Sequence, residues 1–132
     1  MSKIILIVIA VFSISQSWAG ENLKCNSGKG HFTDSLSLEI ESEKVLGLKY
    51  FSTAGEYSCD VSARRGDEDT KWSDQGKITT INFDEGAAVI EQRGNTYTVR
   101  FVDLSHGYHC GMNGQLAEQI IISRGSNKCK IK

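Results

Sequence analysis

The residues best suited to chemistry lie close together near the C-terminus, at 105–114. Two of the three histidines of the chain, His106 and His109, stand there beside Tyr108 and Cys110. Imidazole, phenol and thiol groups at this spacing suit three kinds of site: a metal centre, a catalytic cysteine–histidine pair, or a disulfide-pinned loop that binds another molecule. Which of the three sites is present depends on the secondary structure that positions these side chains.

The spacing of the two histidines disfavours a metal centre. His106 and His109 are an odd number of positions apart, so on a regular strand they point to opposite faces. They converge only if Gly107 introduces a bulge or a turn, and a zinc site would need further ligands. We therefore predict neither a bound metal nor a cofactor.

All four cysteines lie beyond residue 19, at Cys25, Cys59, Cys110 and Cys129. An even number of cysteines in an exported chain predicts two disulfides. An oxidised Cys110 is unavailable as a nucleophile or as a metal ligand. Three pairings are open. We prefer Cys110–Cys129, closing a C-terminal hairpin, with Cys25–Cys59 tying the first strand to the middle of the sheet.

Residues 1–19 have the pattern of a signal peptide. Lys3 precedes an apolar run at 4–12, and small residues at Ser17 and Ala19 fit a cleavage site before Gly20. The apolar run is shorter than the roughly 20 residues that a membrane span needs, which disfavours an anchor. We expect residues 20–132 to form one domain, periplasmic or secreted, without a membrane anchor.

The net charge of this exported part does not indicate nucleic-acid binding. Removing the predicted signal takes away Lys3 and no acidic residue, which changes the net charge from −1 to −2. A near-neutral chain has no broad basic surface for nucleic acid or an anionic membrane. We predict neither as a partner.

Short alternating runs, broken by glycine and polar clusters, predict strands and turns throughout the exported part. The predicted strands lie at 35–41, 45–51, 56–62, 77–83, 87–92, 96–102, 119–124 and 128–131. About eight antiparallel strands in a disulfide-stapled domain predict an all-β fold, either a small barrel or a sandwich. An exposed edge strand in such a sheet would also allow a homodimer.

The polar segment at 64–71 shows no periodicity and is predicted to be a loop. It contains Arg65-Gly66-Asp67, a tripeptide that some cell-surface receptors recognise. Three residues match easily by chance, so a solvated turn is the better interpretation. Trp72, just after the segment, is interpreted as a lid on the core rather than a platform for a ligand.

The sequence favours a binding protein over an enzyme. Ser105 and His106 are adjacent, and adjacent residues rarely present a nucleophile and its base to one point. The chain lacks a Gly-x-Ser-x-Gly elbow, a His-Glu-x-x-His motif and a Gly-rich phosphate loop. A carboxylate pair for glycoside hydrolysis stays open, although a domain this small has little room for both a core and a cleft.

A rigid loop at 105–114 would lower the entropy cost of entering a partner's cleft. A disulfide at Cys110 would anchor it, and Asn113-Gly114 is a strong turn signal. The predicted partner-binding residues are Ser105, His106, Tyr108 and His109, with Arg64 and Arg65 as a second, cationic contact.

This plan resembles the bacterial periplasmic inhibitors of lysozyme and the immunity proteins against peptidoglycan-cleaving effectors of type VI secretion. Their Ser-Gly-x-x-Tyr loop is similar to the stretches at 54–57 (Ala-Gly-Glu-Tyr) and 105–108 (Ser-His-Gly-Tyr); their Thr-Lys-Gly segment has no counterpart here. The resemblance implies a periplasmic inhibitor, not an enzyme, whose loop blocks the cleft of a muramidase-like peptidoglycan hydrolase. The alternative is a ligand- or protein-binding module without inhibitory activity.

Overall fold

A computed structural model describes residues 20–111 and 113–132. The predicted signal peptide at 1–19 lies outside the described residues. Antiparallel strands make up most of the described part. Their bounds are β1 Glu21–Lys29, β2 Phe32–Glu41, β3 Lys44–Ala54, β4 Tyr57–Arg64, β5 Lys71–Gln75, β6 Ile78–Asn82, β7 Ala87–Arg93, β8 Thr96–Val102, β9 Gln119–Ser123 and β10 Lys130–Ile131, with one short helix, α1, at His106–Cys110.

The strands form two sheets around one core. The first has the order β1-β2-β3-β4 and the second β10-β9-β8-β7-β6-β5. The predicted all-β, disulfide-stapled fold is confirmed. Two details were wrong: the strands number ten rather than about eight, and they do not close into a barrel.

The core follows the period-2 patterns of the sequence. Leu36, Leu38 and Ile40 of β2 are all buried, and the residues between them face outward. The second sheet shows the same alternation: Ile90 and Val99 are buried opposite each other on β7 and β8. Alternating apolar residues therefore set which face of each sheet meets the other sheet.

Two strands escaped the sequence prediction because they bury little apolar surface. β1 has one buried residue, Cys25, yet it pairs with β2 along its full length. β5 is a polar edge strand whose one half-buried side chain is Trp72. Trp72 packs against the core, in keeping with its predicted place as a lid.

The predicted cysteine pairing is wrong, although two disulfides are present. Cys25 bonds to Cys129, and Cys59 bonds to Cys110. The first pairing follows from β1, because Asn26 exchanges backbone hydrogen bonds with Asn127 and Cys129 and so brings the C-terminal segment beside Cys25. The second follows from α1, which packs on β4 rather than entering a hairpin.

The two disulfides indicate the kind of compartment in which the protein folds. Their presence, with no free cysteine in the described residues, indicates an oxidising environment, either extracellular or periplasmic. Within residues 20–111 and 113–132, no helix is long and apolar enough to span a bilayer.

Candidate functional site

The predicted binding stretch forms a single helical turn, α1, instead of an open loop. The Ser105 hydroxyl caps its start by accepting the N–H of Tyr108 at 3.3 Å. Gly111 ends it with a positive φ of 64°, donating its N–H to the Gly107 carbonyl at 3.2 Å. A serine N-cap and a glycine C-cap are common helix boundaries, so both ends of the turn are encoded locally.

Two contacts pin α1 to the edge of β4. The Cys59–Cys110 disulfide is one of them. The other joins His109 Nδ1 to the Asp60 carbonyl oxygen at 3.0 Å. A carbonyl can only accept, so Nδ1 is the donor of this hydrogen bond. The turn is therefore held at a fixed place on the sheet edge.

Gly114 lets the chain leave α1 close against this disulfide. A Cβ atom at Gly114 would lie 2.8 Å from Cys59 Sγ and 2.8 Å from Cys110 Cβ. The sequence marks Asn113-Gly114 as a turn, but the glycine is also required by the space beside the sulfur atoms. A larger residue there would push the disulfide and α1 apart.

The outer side of α1 presents an aromatic cluster to solvent. Tyr108 is 84% exposed, the largest exposure among the large hydrophobic residues described. Its ring meets His109 edge-on with centroids 4.9 Å apart, and His109 meets Phe83 edge-on at 5.5 Å. His106 is also exposed. These rings carry both apolar faces and N–H or O–H groups, a combination common at protein interfaces.

A groove beside α1 is rich in carboxylates, and we call it the acidic groove. Its volume is about 570 Å³. Three predicted binding residues line it: Ser105, Tyr108 and His109. The other lining residues are Ser62, Glu68, Asp69, Thr70, Phe83, Asp84 and Glu85. Sequence reasoning missed the four carboxylates, because two come from the loop before β5 and two from the loop after β6.

The two predicted cationic contacts lie elsewhere and differ from each other. Arg65 is fixed: its guanidinium bonds both Asp74 oxygens, at 2.7 and 3.0 Å, donates to the Val45 carbonyl and lies 4.9 Å above the Trp72 ring. Arg65 holds the pKa of the Asp74 carboxyl below its usual range. Arg64 belongs to β4, not to the predicted loop, and pairs at 3.2 Å with Glu39 while staying largely exposed.

The Arg65-Gly66-Asp67 tripeptide is a closed turn whose charged ends are already engaged. Asp67 accepts the Arg64 N–H at 2.9 Å and donates its own N–H to the Arg64 carbonyl. Arg65 is held by Asp74 as described, so the arrangement supports the turn interpretation over receptor recognition.

One group of side chains has metal-binding ligand types. Ligand atoms of Cys59, His106 and Cys110 lie within 4.8 Å of one another, and no other such cluster occurs in the described part of the chain. Both sulfurs are joined in the disulfide, so they offer no thiolate. The premise that the histidines lie on a strand was wrong, since both are on α1.

Comparison of the chain with protein-family models, with curated proteins and with solved structures gives no match.

Proposed function

We propose that the chain is an exported proteinaceous inhibitor, an immunity protein or lysozyme inhibitor, whose α1 corner blocks the cleft of a muramidase-like peptidoglycan hydrolase. The observation that carries the proposal is the Tyr108 side chain, almost fully exposed on a helical turn that a disulfide, an N-cap and a histidine–carbonyl bond hold in place. A protruding aromatic residue on a preorganised support is the usual centre of a protein interface.

The chemistry of the corner suits a cleft that contains carboxylates and has a basic rim. His106 and Tyr108 are exposed and offer N–H and O–H donors for acidic groups inside a cleft. The four carboxylates of the acidic groove lie to the side, where they would meet cationic residues around the partner's cleft. Such charge complementarity raises the association rate and sets the orientation of docking.

Of the remaining predicted residues, Ser105 and Arg65 support the corner, and Arg64 lies away from it. The Ser105 hydroxyl is engaged as the helix cap, which favours a non-enzymatic role over that of a nucleophile. Arg65 fixes the loop that carries Glu68 and Asp69. Arg64 lines a different groove, on the outer face of the first sheet.

Inhibition assays against a panel of peptidoglycan hydrolases, together with capture from envelope extracts, test the proposal. We expect one hydrolase to be bound and blocked, with Tyr108→Ala weakening the inhibition constant at least tenfold and His106→Ala somewhat less. Ile78→Ala is the matched control, because Ile78 is an exposed apolar residue at the opposite end of β6 from Phe83.

Two results would overturn the proposal, the first its inhibitory activity and the second its placement of the interface. Capture of a partner through Tyr108 without loss of its activity would establish the alternative, a binding module. Inhibition that Tyr108→Ala and His106→Ala leave unchanged would remove α1 from the interface.

A further inference from the structure

The outer face of the first sheet carries a regular polar row, of which one residue, Ser62, also lines the acidic groove. Lys24, Ser37, Lys49 and Ser62 lie directly opposite one another on the four successive strands β1 to β4. Since neighbouring strands are about 4.8 Å apart, the two lysines are roughly 10 Å apart with the Ser37 hydroxyl between them.

Two shallow grooves flank this row and share all four of its residues. Their volumes are about 510 Å³ and 480 Å³. Together they form one depression, which we call the serine trough. Its floor consists of short side chains and one glycine: Ser35, Ser37, Gly47 and Ser62.

Gly47 keeps the floor low and lies beside a β-bulge, where the pairing of β2 with β3 shifts register between Glu39 and Ile40. It lies inside β3, and its φ is not in the left-handed region. An added Cβ would meet only the flexible Glu39 side chain closely, with Oε2 at 3.1 Å. A glycine inside a strand weakens it, and marks either a bulge such as this one or a place where another molecule approaches the backbone.

Positive charge is concentrated at the centre of the trough. Lys24 and Lys49 are exposed, and neither forms an ion pair with any residue that the structure describes. The acidic residues lie on either side of this row: Glu39 is paired with Arg64, Asp67 accepts the Arg64 N–H, and Asp60 lies opposite Phe51. The centre of the trough therefore complements an anionic group.

We infer that the serine trough binds an acidic polysaccharide, with a sugar carboxylate held between Lys24 and Lys49. The serine hydroxyls and Asn22 and Asn26 would donate to and accept from sugar hydroxyls. Phe51, 45% exposed at one end, offers a ring face to a sugar ring. Strand addition of a peptide is disfavoured here, because an interior sheet face has its backbone groups paired within the sheet.

Titration of the oxidised, mature protein with a short oligogalacturonate, followed by amide chemical shifts, tests this inference. We expect shifts confined to the outward residues of β1–β4, and weaker binding at higher salt. The double variant Lys24→Gln/Lys49→Gln should bind at least tenfold more weakly. Gly47→Val should also weaken binding, by filling the floor. Lys130→Gln, at an exposed lysine of the second sheet, is the matched control.

The neutral chito-oligosaccharide of equal length separates a carboxylate site from general sugar adhesion. Equal binding of the neutral and acidic oligosaccharides would overturn the inference, as would unchanged affinity in the double lysine variant. An absence of shifts at millimolar oligogalacturonate would overturn it as well. The lysine substitutions are on the surface, so the test stands even if Gly47→Val fails to fold.

Discussion

The two disulfides of this protein hold two regions that are built in opposite ways. Cys25–Cys129 lies where β1 meets the C-terminal segment, a seam that is also closed by backbone hydrogen bonds at Asn26 and by the Glu21–Arg124 ion pair. Cys59–Cys110 holds α1, which also contacts its surroundings through the His109–Asp60 bond and the edge-on contact of His109 with Phe83. The first bond closes the fold, and the second positions a small corner on it.

The comparison teaches that the same covalent bond can serve stability or preorganisation, depending on what surrounds it. Where hydrogen bonds and an ion pair act in parallel, the disulfide adds to a cooperative seam. Where the held element is one helical turn, too short to be stable alone, the disulfide determines whether it keeps a binding conformation.

Removal of the seam disulfide should have the largest effect. Cys25→Ala/Cys129→Ala opens a loop with a sequence separation of 104 residues, and chain-entropy arguments give a loss of about 4–5 kcal/mol. We expect the free energy of unfolding, measured by denaturant titration, to fall by this amount for the whole domain. A loss restricted to β1 and β10, seen by hydrogen exchange, would show that the seam is not cooperative with the core.

Removal of the corner disulfide should cost less than the chain-entropy limit of about 4 kcal/mol. In Cys59→Ala/Cys110→Ala, α1 can detach while both sheets stay folded, so amides of 105–111 should exchange fast and the others slowly. Binding of any partner through Tyr108 should be lost. Retained protection of α1 would mean that packing, not the disulfide, positions the corner.

Tyr50 connects the corner's exit segment to the core and should make stability depend on alkaline pH. Its buried hydroxyl donates to Asp34 Oδ1 at 2.6 Å and accepts the Ala117 N–H at 3.1 Å. Burial, and then the bond to Asp34, raise the pKa of Tyr50 from 10.0 to about 12.

Because the folded pKa of Tyr50 is the higher one, its contribution is complete below pH 10 and is lost as pH rises through about 12. Over that pH range the unfolding free energy falls by about 2–3 kcal/mol, because burial penalises the ionised side chain in the folded state. Tyr50→Phe should be less stable at neutral pH and should show a flatter decline of unfolding free energy between these pH values. Tyr97, whose pKa burial also raises, would supply the slope that remains. An unchanged slope in Tyr50→Phe would contradict this account.

The ion pair of the seam should have the smallest effect. Arg124 donates from Nε to Glu21 Oε1 at 2.8 Å, and both side chains are partly exposed. Exposed pairs contribute at most about 1 kcal/mol, so Glu21→Gln should lower the unfolding free energy by no more than that. The difference should shrink at high salt. A loss above 2 kcal/mol would show that the pair, rather than the disulfide, controls the seam.

Much of the fold was predictable because strand patterns are local. Alternation at 35–41 puts Leu36, Leu38 and Ile40 on one face of a strand, and the structure buries all three. The strands that the sequence missed, β1 and β5, are held by pairing and bury few apolar side chains. Whether these two strands form depends on the strand that each pairs with, and the local sequence pattern carries no information about that partner.

The candidate site divides in the same way. The residue types at 105–111 and the helix caps that fix them are written in consecutive positions, so the sequence by itself determined the chemistry of the corner. Only the tertiary structure decided that Cys110 reaches Cys59 and that acidic residues from two separate loops lie beside Tyr108. Such proximities depend on the order of strands in the sheets, and strand order arises from long-range pairing and core packing.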